Sequence, residues 1–253
     1  MIAMPLPALS LSGLSREPGT SWAGGPRAAI EWAGGIGYRR LALDLTAAGI
    51  RPRELDRSAR RGIAALLRRA ELAVVGCDLL IPADHFISPG HVDRAIEASI
   101  HAIEFARELA ALCEARPLIT LELPGESEAR SIIGASAERE GVLVAQLSAE
   151  EVGREGWSRL ALNLPAVMGE GGDGAGSIGS QGDSLAQVRI TDLVDGVRRP
   201  LGTAGGKLEP LALVAAIAAA SYGACDPVIE VRGIAEQHTA AQTSLSAWPD
   251  SLL

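Results

Sequence analysis

The sequence predicts an α/β fold, a single eight-stranded parallel barrel wrapped by helices, (β/α)8, and three observations carry that prediction. Short apolar, β-compatible runs alternate with longer helical patterns, the arrangement that builds a parallel sheet with crossover helices. Eight such runs can be counted along the chain, the number that closes a barrel of this type. The length of 253 residues matches the usual size of such a barrel, about 250 residues.

The runs fall at 6–11 (LPALSL), 40–45 (RLALDL), 72–79 (LAVVGCDL), 117–123 (PLITLEL), 142–147 (VLVAQL), 158–163 (SRLALN), 188–193 (VRITDL) and 227–231 (PVIEV). Residues 53–70 carry Leu55, Ala59, Ile63, Leu66 and Leu67 at three-and-four spacing, one apolar stripe with arginines opposite, which predicts a helix. Residues 89–114 and 207–221 read as helices in the same way. The outer ring is expected to be incomplete around strands five and six. Only the ten residues 148–157 separate those strands, and GEGGDGAGSIGSQGD (169–183) reads as a glycine-rich loop, disordered or lid-like, where a helix would stand. No internal repeat or linker is visible, so residues 1–253 are taken as one domain.

With 47% hydrophobic and 21% charged residues the chain can bury a large core, and with aromatics at 3% that core must be mostly Ala, Leu, Ile and Val. A net charge of -8 argues against broad binding to nucleic acid, which needs Lys and Arg to neutralise phosphates. Cys77, Cys113 and Cys225 form no C-x-x-C pair and read as small buried hydrophobes in a reducing compartment. The start, MIAMPLPALSLSGLSRE, has no basic segment and is broken by prolines. A cytoplasmic location with no membrane partner is therefore expected, and a homo-oligomer is compatible with the sequence. The one lysine, Lys207, follows two glycines and reads as a loop residue rather than a desolvated nucleophile.

The most informative stretch is VRITDLVDGVRRPLGTAGGKLEPLALVAAIAAASYGACDPVIEVRG, residues 188–233. It resembles the C-terminal signature of the sugar-phosphate isomerase/epimerase (xylose-isomerase-like TIM-barrel) family, with Asp192, Gly202, Gly205, Tyr222, Gly223 and Glu230 in corresponding places. A weaker resemblance extends upstream through LALDLTAAGIRPRELD and CDLLIPADHF. The resemblance implies a divalent metal at the C-terminal mouth of the barrel, held by Glu, Asp, His and Glu from strands five to eight. Carried over one position at a time, those ligands become Gln146, Asn163 or a neighbouring gap, Arg189 and Glu230, so only Glu230 is retained. Neutral amides bind a hard dication weakly and an arginine repels it, so no metal is expected; Mn, Mg or Zn would enter only if the alignment were shifted. An Arg189–Glu230 ion pair could fill the vacated space.

Glu230 stands at the end of an apolar strand and is the candidate catalytic base. Asp78 and Glu122, like Asp44, lie near strand ends and could add carboxylates at the mouth. His85, just beyond strand three, is the histidine best placed for a pocket, whereas His91, His101 and His238 read as structural. Arg189, Asp192 and Arg198 are candidates for holding a ligand, Arg198 and Arg199 forming a cationic turn suited to a phosphate or carboxylate. Two functions fit these residues: an isomerase or epimerase acting on a small sugar or hydroxy-carbonyl compound, or a barrel without that chemistry that binds or regulates. An abasic-site endonuclease of related fold would need a basic face and several more metal-binding residues than the sequence has.

Overall fold

A computed structural model describes residues 5–15, 17, 19–147, 156–221 and 225–249. In chain order the elements are β1 (Ala8–Ser10), α1 (Pro26–Gly35), β2 (Arg40–Asp44), α2 (Arg57–Arg69), β3 (Ala73–Asp78), α3 (Val92–Cys113), β4 (Leu118–Leu121), α4 (Glu128–Glu140), β5 (Leu143–Gln146), β6 (Ser158–Asn163), α5 (Leu164–Gly169), α6 (Gly174–Gln181), β7 (Leu185–Ile190), β8 (Asp192–Val194), β9 (Val197–Arg199), α7 (Pro210–Ser221), β10 (Asp226–Ile229) and α8 (Gln237–Ser246). Strands β1 to β7 and β10 close a parallel barrel in the order β1-β10-β7-β6-β5-β4-β3-β2, and β8–β9 form a separate antiparallel pair. The fold is therefore the eight-stranded parallel barrel that the alternating pattern predicts.

The helices begin where side chains can take up their free N–H groups. Asp56 accepts from Ala59 N at the start of α2, and Ser127 accepts from Arg130 N at the start of α4. α4 ends at Gly141, whose φ of 64° is the left-handed turn that glycine adopts without strain.

Two expectations need correction. Residues 169–183 are not a loop: most of the stretch is α6, because Asp173 caps the N–H groups of Ala175 and Gly176 and Ile178 is buried. The glycines there serve close packing; a Cβ on Gly174 would lie 2.9 Å from Leu208 Cδ2. Strand seven also begins three residues earlier than 188 and ends at Ile190. The chain then leaves the barrel, and Asp192 and Leu193 belong to the β8–β9 hairpin, closed by Asp195 and Gly196 at φ 51° and 77°. Residues 148–155, in the short connection between strands five and six, lie outside the described residues, as do Tyr222 and Gly223 of the C-terminal signature.

Side chains on a strand alternate between faces, and the register sorts them here. Leu41, Leu43, Ile119, Leu121, Val144, Val188, Ile190 and Ile229 belong to the large hydrophobic cluster between barrel and helices. The interior is filled low down by small residues, with Ala8, Ala42, Val75 and Val228 in one group and Leu118, Ala145, Ala161 and Ala186 in another. This alanine-rich floor leaves room above it for long polar side chains.

Candidate active site

Above that floor, three strands converge on one guanidinium. Arg189 on β7 is wholly buried. Its Nη1 and Nη2 donate to Asp78 Oδ1 and Oδ2 at 2.9 and 2.7 Å, and its Nε donates to Glu230 Oε1 at 2.9 Å. Nη1 also donates to Gln187 Oε1 at 3.1 Å, and Nη2 reaches Ser10 Oγ at 3.3 Å and lies 2.7 Å from Glu230 Oε1. Each guanidinium N–H thus has an acceptor, the condition under which an arginine can be buried. Burying the charge disfavours it, but Asp78 and Glu230 outweigh that cost and raise the Arg189 pKa above its ordinary value. Burial likewise opposes ionisation of Asp78, and the Arg189 charge with the hydrogen bonds from Arg189 and Ser10 holds its carboxyl below the usual range.

The surrounding polar groups lock this arrangement. Ser10 Oγ donates to Asp78 Oδ2 at 2.6 Å, and Thr120 Oγ1 donates to Gln187 Oε1 at 2.9 Å. These bonds join strands that are not neighbours in the sheet, so they cross the barrel interior. Glu230 Oε2 faces outward toward Arg198 Nη1 and Arg232 Nη2, each 3.7 Å away and each on a partly exposed side chain. The result is a buried anion–cation core capped by a cationic rim.

Neither a family model nor a curated protein matches the sequence. Solved structures do match its fold. L-ribulose 3-epimerase superposes with a TM-score of 0.69 at 14% identity over 96% of this chain and 93% of that one. A Rhodospirillum rubrum protein assigned as a xylose isomerase gives 0.64 at 15% identity over 97% and 98%. AsbF from Bacillus anthracis, assigned as a 3-DHS dehydratase in petrobactin synthesis, gives 0.63 at 11% identity over 95% and 97%. The chain shares with these proteins the fold of an eight-stranded β/α barrel.

In a barrel of this type the resemblance implies metal ligands at the mouth ends of strands five to eight, and the residues here do not fit a dication. Gln146 pairs with Leu121 and Leu160 on the outward face, so the inward position at the end of β5 is Leu147, which packs on the interior alanines. Next come Asn163, paired with Arg189 in the β6–β7 register, then Arg189 itself and Glu230. That set offers one carboxylate, one neutral amide, a hydrocarbon and a fixed cation, and the cation already holds the carboxylate. Among the described residues, no group of three or more His, Cys, Asp or Glu is placed to hold a metal ion.

The other sequence-predicted residues scatter. Arg198 lies at the rim beside Glu230. Asp192 is buried away from that network, its Oδ1 accepting from Leu193 N, Lys207 N and Leu208 N at 2.8, 2.8 and 3.1 Å, so it fastens the hairpin to the loop before α7. Glu122 lies one residue beyond β4 and is exposed. His85 is half-buried and stacked on His91 with ring centroids 4.5 Å apart. Lys207 Nζ donates to the Met168 carbonyl, and burial pushes the Cys225 thiol up to about 12, which leaves it unreactive.

Ser10, Thr120 and Gln187 complete the network and were not singled out from the sequence. The available signal was alternation: in Gln187-Val188-Arg189-Ile190 polar and apolar residues exchange at a period of two, which puts Gln187 and Arg189 on one face. A strand taken to begin at 188 leaves Gln187 out of that pattern, whereas β7 begins at Leu185.

Proposed function

We propose that the chain binds a small sugar-like hydroxy-carbonyl compound at the C-terminal mouth of the barrel, and does so without a divalent metal. The Arg189 guanidinium carries this reading, being buried and bonded to Asp78 and Glu230 where the resemblance implies metal ligands. A guanidinium supplies fixed charge and directed donors but no vacant coordination position, so it can order carboxylates without acting as a Lewis acid. Arg198 and Arg232 at the rim supply donors for an anionic group on the ligand, a carboxylate or a phosphate. This favours a ligand-binding or regulatory barrel over a metal-dependent isomerase.

One observation supports a second reading, isomerisation or epimerisation by proton transfer alone. Glu230 Oε1 is taken by Arg189, but Oε2 stands 3.7 Å from both rim arginines, outside hydrogen-bonding range, and keeps its lone pairs for a substrate proton. The structural neighbours include an epimerase and a protein assigned as an isomerase, which supports the same reading.

Calorimetric titration with a pentulose phosphate, the free pentulose and a 2-hydroxy acid, with and without a chelator, tests the first reading. Chelator-independent binding, weakened by Arg198→Ala or Arg232→Ala, is the expected result; binding that requires added Mn²⁺ would overturn it. Incubating the bound compounds in D₂O and following C–H exchange by NMR tests the second. Exchange that disappears in Glu230→Gln establishes proton transfer, and absence of exchange from every bound compound rejects it.

A further inference from the structure

Beside the mouth lies a cavity of about 170 Å³ lined by Leu11, Trp22, Ala29, Asp44, Ala48 and Ile50 together with a few further apolar residues. Among the described residues Asp44 is its one charged lining residue, and most of the others are apolar, Trp22 among them. The cavity is preformed. Trp22 Nε1 donates to the Ser15 carbonyl, and the Trp22 ring packs on Trp32 at a centroid distance of 4.4 Å. Trp32 Nε1 in turn donates to His238 Nδ1 at 2.9 Å.

Two strand ends set the cavity beside the polar network: Asp44 and Leu11 line it, and each adjoins a residue of that network. Asp44 is the register partner of Asp78 in the β2–β3 pairing, and its Oδ1 accepts from Thr46 N and Thr46 Oγ1 at 2.9 and 2.5 Å. Leu11 directly follows Ser10, whose hydroxyl is bonded to Asp78, and Leu11 N donates to Ala42 O at 3.0 Å. The apolar recess thus borders the mouth on its β1–β2 side. The volume is that of one small ring, since an apolar cavity of about 150 Å³ accommodates benzene. It is below the roughly 300 Å³ at which pockets for drug-sized ligands begin.

We infer that this cavity receives an apolar substituent, a short alkyl group or one aromatic ring, on the compound whose polar head occupies the mouth. The inference rests on the mouth-binding reading above and adds to it an amphipathic ligand: a hydroxylated anionic head toward the rim arginines and a ring-sized hydrocarbon against Trp22.

The test uses lactate and 3-phenyllactate, a pair with the same hydroxy-acid head, and phenol as a probe of the cavity alone. Burying a phenyl ring is expected to make phenyllactate bind roughly ten- to thirty-fold more tightly than lactate. Ala48→Phe, at an exposed position on the cavity rim, should abolish that advantage and leave lactate affinity unchanged. Ala47→Leu serves as a second filling variant should the first fold poorly. The indole N–H resonance of Trp22 should shift with phenyllactate and not with lactate. Equal affinities for the two acids would overturn the inference while leaving the mouth reading intact. A Trp22 shift with phenol but no phenyl advantage would overturn it too, showing an isolated cavity. If neither acid binds while the pentulose or its phosphate does, this inference is overturned and the mouth reading stands; if none of them binds, the mouth reading fails as well.

Discussion

Arg189 on β7 and Asp78 on β3 meet end-on across the barrel interior, with Nη1 2.9 Å from Oδ1 and Nη2 2.7 Å from Oδ2. Two parallel charge-assisted bonds fix the guanidinium plane, and the same plane delivers Nε to Glu230. One side chain thus links strands three, seven and eight of the barrel at the level of its mouth.

Removing the cation leaves two carboxylates facing each other in a buried space. Arg189→Met is expected to cost about 3–5 kcal/mol, the range for breaking a buried ion pair on one side. The triple variant Arg189→Met, Asp78→Asn, Glu230→Gln should recover a large part of it, because no unpaired charge remains. Urea unfolding of the four proteins, wild type, single, Asp78→Asn and triple, measures both.

Acid should weaken the same link. The folded-state pKa of Asp78 is lowered, so its contribution is fully present above the unfolded carboxyl value of about 3.9. It is lost as pH falls through the lower, folded value. Asp78→Asn should therefore be less stable than wild type at neutral pH, and the gap should shrink at pH values below about 4. Stability measured by denaturant across that range checks the sign.

Gly76 lies in β3 where a Cβ would come 2.6 Å from Leu118 Cδ2 and 3.1 Å from Gln187 Nε2. Gly76→Val is expected to push Gln187 off Arg189 and to destabilise by about 1–3 kcal/mol, the usual cost of overpacking. Thermal unfolding against the Gln187→Ala variant separates the two effects: the double variant should cost less than the sum.

Asp192 acts elsewhere, as acceptor for three backbone N–H groups. Asp192→Ala should leave the barrel strands protected and release hydrogen-exchange protection at Leu193, Lys207 and Leu208, at a cost of about 1–3 kcal/mol. Gly206→Ala should act in the same direction, since a Cβ there would collide with the Asp192 carboxylate.

The barrel was legible because its strands are short apolar runs at regular intervals, and the helices with one apolar stripe followed from spacing. The glycine content of residues 169–183 suggests a loop, whereas a cap at Asp173, the buried Ile178 and the close approach of α7 settle a helix there. The Arg189–Glu230 contact could be anticipated from two strand ends, but Asp78 as the partner across the barrel could not, because cross-barrel contacts depend on register and shear rather than on local pattern. Gln146 shows the same limit: a one-residue difference in where β5 meets its neighbours decides whether the amide faces the interior or the helices.

Metal analysis of the purified protein tests the central claim most directly. Elemental analysis after dialysis against Mn²⁺, Mg²⁺, Co²⁺ and Zn²⁺, together with thermal unfolding with and without chelator, should show only trace metal and an unchanged Tm. One equivalent of a tightly held divalent ion, lost in Glu230→Gln, would contradict the account, because it would require Arg189 to leave the position in which it joins Asp78 to Glu230.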